Sequence, residues 1–227
     1  MQELEVEQIR DTLDKHGYQY KSILGDGGSS NAFLCQRNQN IFVIKKSMKL
    51  QMIENEYKNL TSLVHPSIIK LYDSFEDELD EYLVIEYCSN GTLFQKGKLT
   101  YSKFVLYAKQ ILEAIAFCHS KKIAIRDINP EKIFIDQYDH IKLSNFGMAK
   151  EFESNEKSNE KCGSLFYLAP EMFQKQDVCP FKADIWSLGI TFFFMATGSF
   201  PFKSSSIEKI KQMIIRGDID YSEYDIN

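Results

Sequence analysis

The sequence predicts an α+β fold in two lobes, a strand-rich first third and a helix-rich remainder, joined near Cys88 to Gly91. Three observations predict it. Short β-branched and aromatic runs, IFVIKK, KLYDSF and YLVIEYC, crowd the part before the joint. Beyond it, Phe104, Val105, Ala108, Ile111, Leu112, Ile115 and Ala116 recur at three- and four-residue spacing, one face of a long helix. A further run, DIWSLGITFFFMAT, is apolar on most sides and reads as a buried helix closed by Gly198.

In order along the chain, residues 3–16 read as a polar helical lead-in stopped by Gly17. YKSILGDGGSSNAFLCQ flanks a glycine- and serine-rich turn with apolar residues, the pattern of a hairpin. IFVIKK is a strand. Residues 50–63 suit a helix, and the His65-Pro66 pair ends it. KLYDSF and YLVIEYC are two more strands, with the acidic EDELDE between them as a solvated turn. Thr100 is placed to cap the long helix. IFID and IKLS are short strands joined by QYDH, and KEFESNEKSNEK has no period and reads as a mobile loop. There is no internal repeat.

Composition narrows the class. Of 227 residues, 44% are hydrophobic and 26% charged, which is globular. The formal net charge of −5 and the lack of a basic run argue against nucleic acid as a partner. Five cysteines, an odd number with no C-x-x-C pair, fit reduced thiols in a cytoplasmic protein. The acidic start lacks the apolar centre of a signal peptide. The longest apolar stretch, ITFFFMA, is too short to span a bilayer, so no membrane association is expected.

Ten spaced motifs carry a resemblance: LGDGG, FVIK, a helix with Glu56, HPSIIKLYDSF, YLVIEYCSNGTLF, IRDINPEK, SNFG, CGSLFYLAPE, DIWSLG and GSFPF. Together they resemble the eukaryotic protein kinase family, in its calcium/calmodulin-dependent and AMP-activated serine/threonine branch, from about Tyr18 to residue 217. After the helical lead-in, which takes 1–17, the resemblance implies a β-rich small lobe over 18–88 and an α-rich large lobe over 89–227. That large lobe is expected to be truncated at its C-terminal end, without the family's last helices.

What the family does with these positions carries over residue by residue. Gly25 and Gly27, with Ser30 at the third glycine position, resemble the loop that lets backbone N–H groups approach nucleotide phosphates. A tight hairpin turn alone would also use glycine there. Lys45 and Glu56 resemble the ion pair that sets a lysine on the α- and β-phosphates. The same pair also serves as a strand-to-helix brace. Leu24, Ala32, Val43 and Phe134 line up with the walls around the base. Ile85 lines up with the gatekeeper, and Glu86 to Cys88 with the hinge. Ala32 shrinks one wall and Phe134 enlarges the other. Asp127 resembles the catalytic base, preceded by Arg126. Ile125 stands where the family has a histidine, in a stack with Leu60, Leu71 and Phe146.

The departures fall on charge handling. Asn129 replaces the lysine that contacts the γ-phosphate, Lys132 replaces a magnesium-binding asparagine, and Asn145 replaces the magnesium-binding aspartate. A neutral amide oxygen is a weaker ligand for a hard cation than a carboxylate, and an ammonium has no lone pair. Metal ions supply several kcal/mol to phosphoryl transfer. Losing about 4–6 kcal/mol slows turnover roughly 10³- to 10⁴-fold, from a usual ~1–100 per second. The expectation is a pseudokinase that binds ATP with doubtful use of Mg²⁺, or serves as a regulatory or scaffolding module for a protein partner. The alternatives are a weak serine/threonine kinase acting on a protein substrate, or a marginally folded product. Lys132 either supplies a cation in place of the metal or faces solvent.

Four further positions depart from the family or bear on its regulation and internal bracing. Glu160 stands at the branch's activating threonine, where a pair with Arg126 is one reading. The polarity of SNEKSNEK favours the other, an acid in a solvated loop. Leu165 replaces a proline on the peptide-docking side, and the helix after the hinge is short. Asp184 resembles the aspartate that holds the catalytic-loop backbone. Glu171 resembles an acid that pairs with a late arginine.

Overall fold

The computed structural model describes residues 3–26, 31–48, 51–153, 156–174 and 177–223. Gly27 and Ser30 lie outside the described residues. Two compact units divide the chain: Met1–Val64 with Ile69–Tyr87, and His65–Ile68 with Cys88–Asn227.

In the first unit, α1 (Glu3–Lys15) is followed by β1 (Gln19–Asp26), β2 (Asn31–Arg37) and β3 (Asn40–Met48). Then come α2 (Gln51–Ser62), β4 (Leu71–Glu76) and β5 (Asp80–Glu86). The strands form one antiparallel sheet in the order β1-β2-β3-β5-β4. Gly17, at φ 78°, lets the chain turn from α1 into the sheet.

Register sorts the sheet into two faces. Ala32 pairs with Lys45, Leu34 with Val43, Val43 with Ile85 and Lys45 with Leu83. Partners across a ladder and residues two apart share a face. Ala32, Val43, Lys45 and Ile85 therefore lie together on one face. Phe33, Cys35, Ile44, Tyr82 and Val84 lie on the other, fully buried in a cluster with Ile9, Leu13 and Tyr18. The lead-in helix is thus part of the core: α1 covers one side of the sheet and leaves the other to Lys45. Burying Ile9 and Leu13 contributes about 1.5–3 kcal/mol each. Burial also pushes the Cys35 thiol up to about 12.

The acidic turn is shorter than the sequence indicates, because β5 begins at Asp80. Asp77 closes it, accepting from the N–H groups of Leu79 and Asp80 at 3.0 and 2.8 Å and from the Tyr82 hydroxyl at 2.8 Å.

The second unit is mostly helical. It contains α3 (Leu93–Lys96), α4 (Tyr101–Ser120), α5 (Pro180–Thr197) and α6 (Ile207–Arg216). Two small antiparallel ribbons join β6 (Ile123–Ala124) to β9 (Lys150–Glu151), and β7 (Ile133–Ile135) to β8 (Ile141–Leu143). His65–Ile68 joins this unit, because Leu143 N–H donates to the Ser67 carbonyl at 2.9 Å beside an Ile68–Leu143 bridge. α3 is a single turn with a reciprocal Thr92–Gln95 capping box.

Three expectations change here. Thr100 occupies the N-cap of α4, but its side chain makes no capping bond. It contacts the Ser102 hydroxyl at 3.3 Å instead. The buried face of α4 is Tyr107, Ala108, Ile111, Ala114, Ile115 and Cys118. Val105 and Leu112 are nearly half exposed. The apolar arc in the sequence is wider than the stripe that packs, and its outer edge remains at the surface. The polar stretch from residue 150 is not structureless. It begins as β9, and Ser158 and Val178 exchange two backbone hydrogen bonds at 2.9 Å.

α5 starts with Pro180 in its first turn, a position that needs no N–H donor, and ends at Gly198 in the left-handed region at φ 73°. No described helix is long and apolar enough to cross a membrane. None of the five cysteines is in a disulfide.

Candidate active site

Lys45 and Glu56 meet within the first unit. Lys45 Nζ donates to Glu56 Oε2 at 2.5 Å, tying β3 to α2. Glu56 is only 4% exposed, and its Oε1 has no hydrogen-bond partner among the described residues. Around Lys45 on the same face, Val43 and Ala32 are half-buried and Ile85 is buried. On β1, Leu24 is exposed, and Gly25 pairs with Ala32 and has open space where a side chain would stand. Glu86 ends β5 half-buried. Leu60 is buried and Leu71 half-buried in this unit.

In the second unit the loop after β6 is held by one acid. Asp184, 1% exposed on α5, accepts from the N–H groups of Ile125 and Arg126 at 2.8 and 2.7 Å and contacts His119 Nε2 at 2.8 Å. These bonds fix Arg126 at φ 69°, a conformation that costs a side-chain-bearing residue energy. Ile125 and Phe146 are buried.

The next residue, Asp127, is 6% exposed and surrounded by donors. Its Oδ1 accepts from Asn129 Nδ2 at 3.1 Å, Ser164 N–H at 3.2 Å and Ser164 Oγ at 2.9 Å. Its Oδ2 accepts from Asn145 Nδ2 at 3.2 Å. A carboxylate offers about four lone-pair sites, and here four donors are aimed at it. Each donor has a local cause. Asn129 caps the 3₁₀ turn Pro130–Lys132, taking Glu131 N–H at 3.1 Å on its oxygen and so turning its NH₂ toward Asp127. Asn145 sits in the left-handed region at φ 65°, ψ 64°, where asparagine is better tolerated than most residues. Ser164 follows Gly163, at φ 112°, where an added Cβ would lie 2.8 Å from the Arg126 carbonyl oxygen. Only glycine lets that segment come so close.

Lys132 is half-buried, and its carbonyl accepts from Ser144 N–H at 3.0 Å and Ser144 Oγ at 3.1 Å. No ion pair or side-chain hydrogen bond joins its ammonium to another described residue. Phe134 is half-buried on β7, opposite Thr92, and Cys88 is buried.

Glu160 corrects the reading that the polar composition favoured. Arg126 Nη2 donates to its Oε2 at 2.8 Å and Lys150 Nζ to its Oε1 at 2.8 Å. The lysine, then the arginine, hold this carboxyl below the usual range. Ser164 is the residue that motif reading missed. Only its place after Gly163 hints at its contact, because the geometry depends on a close approach between distant segments.

The donor set can be tested against magnesium. A magnesium site needs oxygen ligands, usually one or two carboxylates. Here Asp127 stands among amide and hydroxyl donors. Among the described residues no group of three or more His, Cys, Asp or Glu side chains converges as a metal site.

Comparison with known proteins agrees with this architecture. The family model for the protein kinase domain matches residues 18–225. Calcium-dependent protein kinase 6 of Plasmodium berghei (strain Anka) is 36% identical over 217 residues, which covers 89% of this chain and 14% of that protein. The chain therefore spans only a small part of that relative's length. With a β-sheet-rich first unit, a helical second unit and a family match over nearly its whole length, the chain belongs to the protein kinase domain family.

Proposed function

We propose that the chain is a catalytically impaired member of the calcium/calmodulin-dependent-like branch, a cytoplasmic pseudokinase that binds a nucleotide or a protein partner more than it transfers phosphate. The observation that carries this is the Asn145 amide donating to Asp127 at 3.2 Å. A hydrogen-bond donor stands where the family holds a metal ligand, and it uses a lone pair that a general base needs for its substrate. On this reading the amide and hydroxyl donors around Asp127 suit a magnesium ion poorly. Lys132 adds a positive charge to the same unit and no ligand.

Lys45, held by Glu56, is the residue that would contact nucleotide phosphates. The resemblance assigns nucleotide contact to Leu24, Gly25, Gly27, Ala32, Val43, Ile85 and Glu86 in the first unit and, separately, to Cys88 and Phe134 in the second. Five cysteines without a disulfide suit a reducing compartment.

A second reading, a weak serine/threonine kinase using Asp127 with ATP, is favoured by the formed Lys45–Glu56 pair. Phosphorylation of a generic peptide in magnesium or manganese separates the two. The double variant Lys132→Asn, Asn145→Asp should outpace the wild type. Equal rates would favour the weak kinase.

A further inference from the structure

The alternation that puts Val43 and Lys45 on one face of the sheet puts Arg37, Asn40 and Phe42 on the other, because Arg37 pairs with Asn40 and Cys35 with Phe42. Asn38, left-handed at φ 57°, closes the turn between β2 and β3. An open cavity of about 380 Å³ lies beside that turn, in the size range of small-molecule sites. Its apolar corner is three rings. Phe42 stands nearly perpendicular to Tyr18, at 5.8 Å and 84°, and to the half-exposed Tyr72, at 5.3 Å and 80°. Arg37, Asn38, Asn40 and Asp73 form the polar rim. Asp73 is already answered, by the Tyr18 hydroxyl at 3.2 Å, the Ser74 N–H at 2.9 Å and Arg37 Nη1 at 3.7 Å. The Arg37 side chain is half exposed and bonds through Nη1 alone among the described residues, to that carboxylate and to the Tyr18 oxygen at 3.2 Å. The other N–H groups of its planar fork suit a phosphate. A cationic ligand is disfavoured: Arg37 already lies over Tyr18 at 5.2 Å and Lys70 over Tyr72 at 4.8 Å, so it would meet two charges of its own sign.

We infer that this cavity is a binding site for a nucleoside monophosphate: Arg37 takes the phosphate, the base stacks on Tyr72 in the corner made with Phe42, and the amides of Asn38 and Asn40 meet its polar edge. The inference goes beyond the pseudokinase reading and does not depend on it, because the cavity lies on the sheet face opposite Lys45.

Photolabelling of the full chain with 8-azidoadenosine 5′-monophosphate tests it, the label being placed to the residue by fragment-ion mass spectrometry. The wild type should be labelled at Tyr72 or Phe42. AMP should protect, and adenosine or inorganic phosphate alone should need roughly tenfold more or beyond, since each fills one end of the cavity. Calorimetric titration with AMP then reads the variants. Arg37→Gln should weaken binding roughly tenfold, the scale of a lost charge-assisted hydrogen bond. Tyr72→Ala should do about the same through lost stacking, and Tyr72→Phe should stay within about twofold of the wild type. A label confined to Ala32, Val43 or Ile85 would place the nucleotide on the Lys45 face and overturn the inference. So would the absence of any label, AMP affinity unchanged in both Arg37→Gln and Tyr72→Ala, or tighter binding of O-phosphotyrosine than of AMP. The position of the wild-type label requires no variant, so it decides the matter even where a substitution unfolds the chain.

Discussion

Asn145 and Asp127 are joined by an amide-to-carboxylate hydrogen bond of 3.2 Å. Two carboxylates at that spacing would repel, and a cation between them would be needed to relieve the strain. The amide removes the need. Asn145→Asp should therefore destabilise the chain by about 1–3 kcal/mol without divalent ions, the cost of turning a donor into a like charge beside a buried acceptor. Thermal unfolding in EDTA should fall by several degrees, on the order of 2–4 °C per kcal/mol for a chain of this size. Added magnesium should restore part of the loss in the variant and leave the wild type unmoved.

Asp184 holds two backbone N–H groups and His119 from a site that is 1% exposed. Asp184→Ala leaves those donors buried and unanswered and releases Arg126 from its left-handed conformation. A loss of about 3–5 kcal/mol is expected, visible as a lower urea midpoint. Asp184→Asn keeps one acceptor oxygen and should lose less.

Leu13 is fully buried between α1 and the sheet. Leu13→Ala should cost about 2–5 kcal/mol, as for a large-to-small change in a close-packed core. A loss under 1 kcal/mol by urea unfolding would mean that α1 is not part of the cooperative core.

The pH behaviour of the docked segment follows from Glu160. Its carboxyl is held low by Lys150 and Arg126. A group whose folded value is depressed contributes stability above its unfolded value and loses it as pH falls through the folded one. Amide exchange protection of residues 156–162 should thus be flat from pH 7 down to about 4.3, the ordinary glutamate value, and decline below it. In Glu160→Gln the protection should be lower at neutral pH and lack that acid-side decline.

Much of the fold was legible because its signals are local. The strands of the first unit, the stop at Gly17 and the end of α5 at Gly198 each rest on residues adjacent in sequence. The capping of α4 and the buried face of that helix were less legible, since neighbours decide which part of an apolar arc is covered. At the site, motif spacing named Asp127, Asn129 and Asn145 but not what they do to one another. That depends on the left-handed turn at Asn145 and on the close approach at Gly163, which brings Ser164 from far along the chain. Glu160 shows the same limit. Its composition is that of a solvated loop, while a buried guanidinium and Lys150 make it a docked one.

The central claim is that the acidic grip on magnesium has been replaced by hydrogen bonds around Asp127. Calorimetric titration of the wild-type chain with ATP, in EDTA and then in excess magnesium, tests it most directly. The account predicts affinities equal within about twofold in the two conditions, or no binding in either. A magnesium-dependent tightening of roughly tenfold or more, about 1.4 kcal/mol, would contradict it.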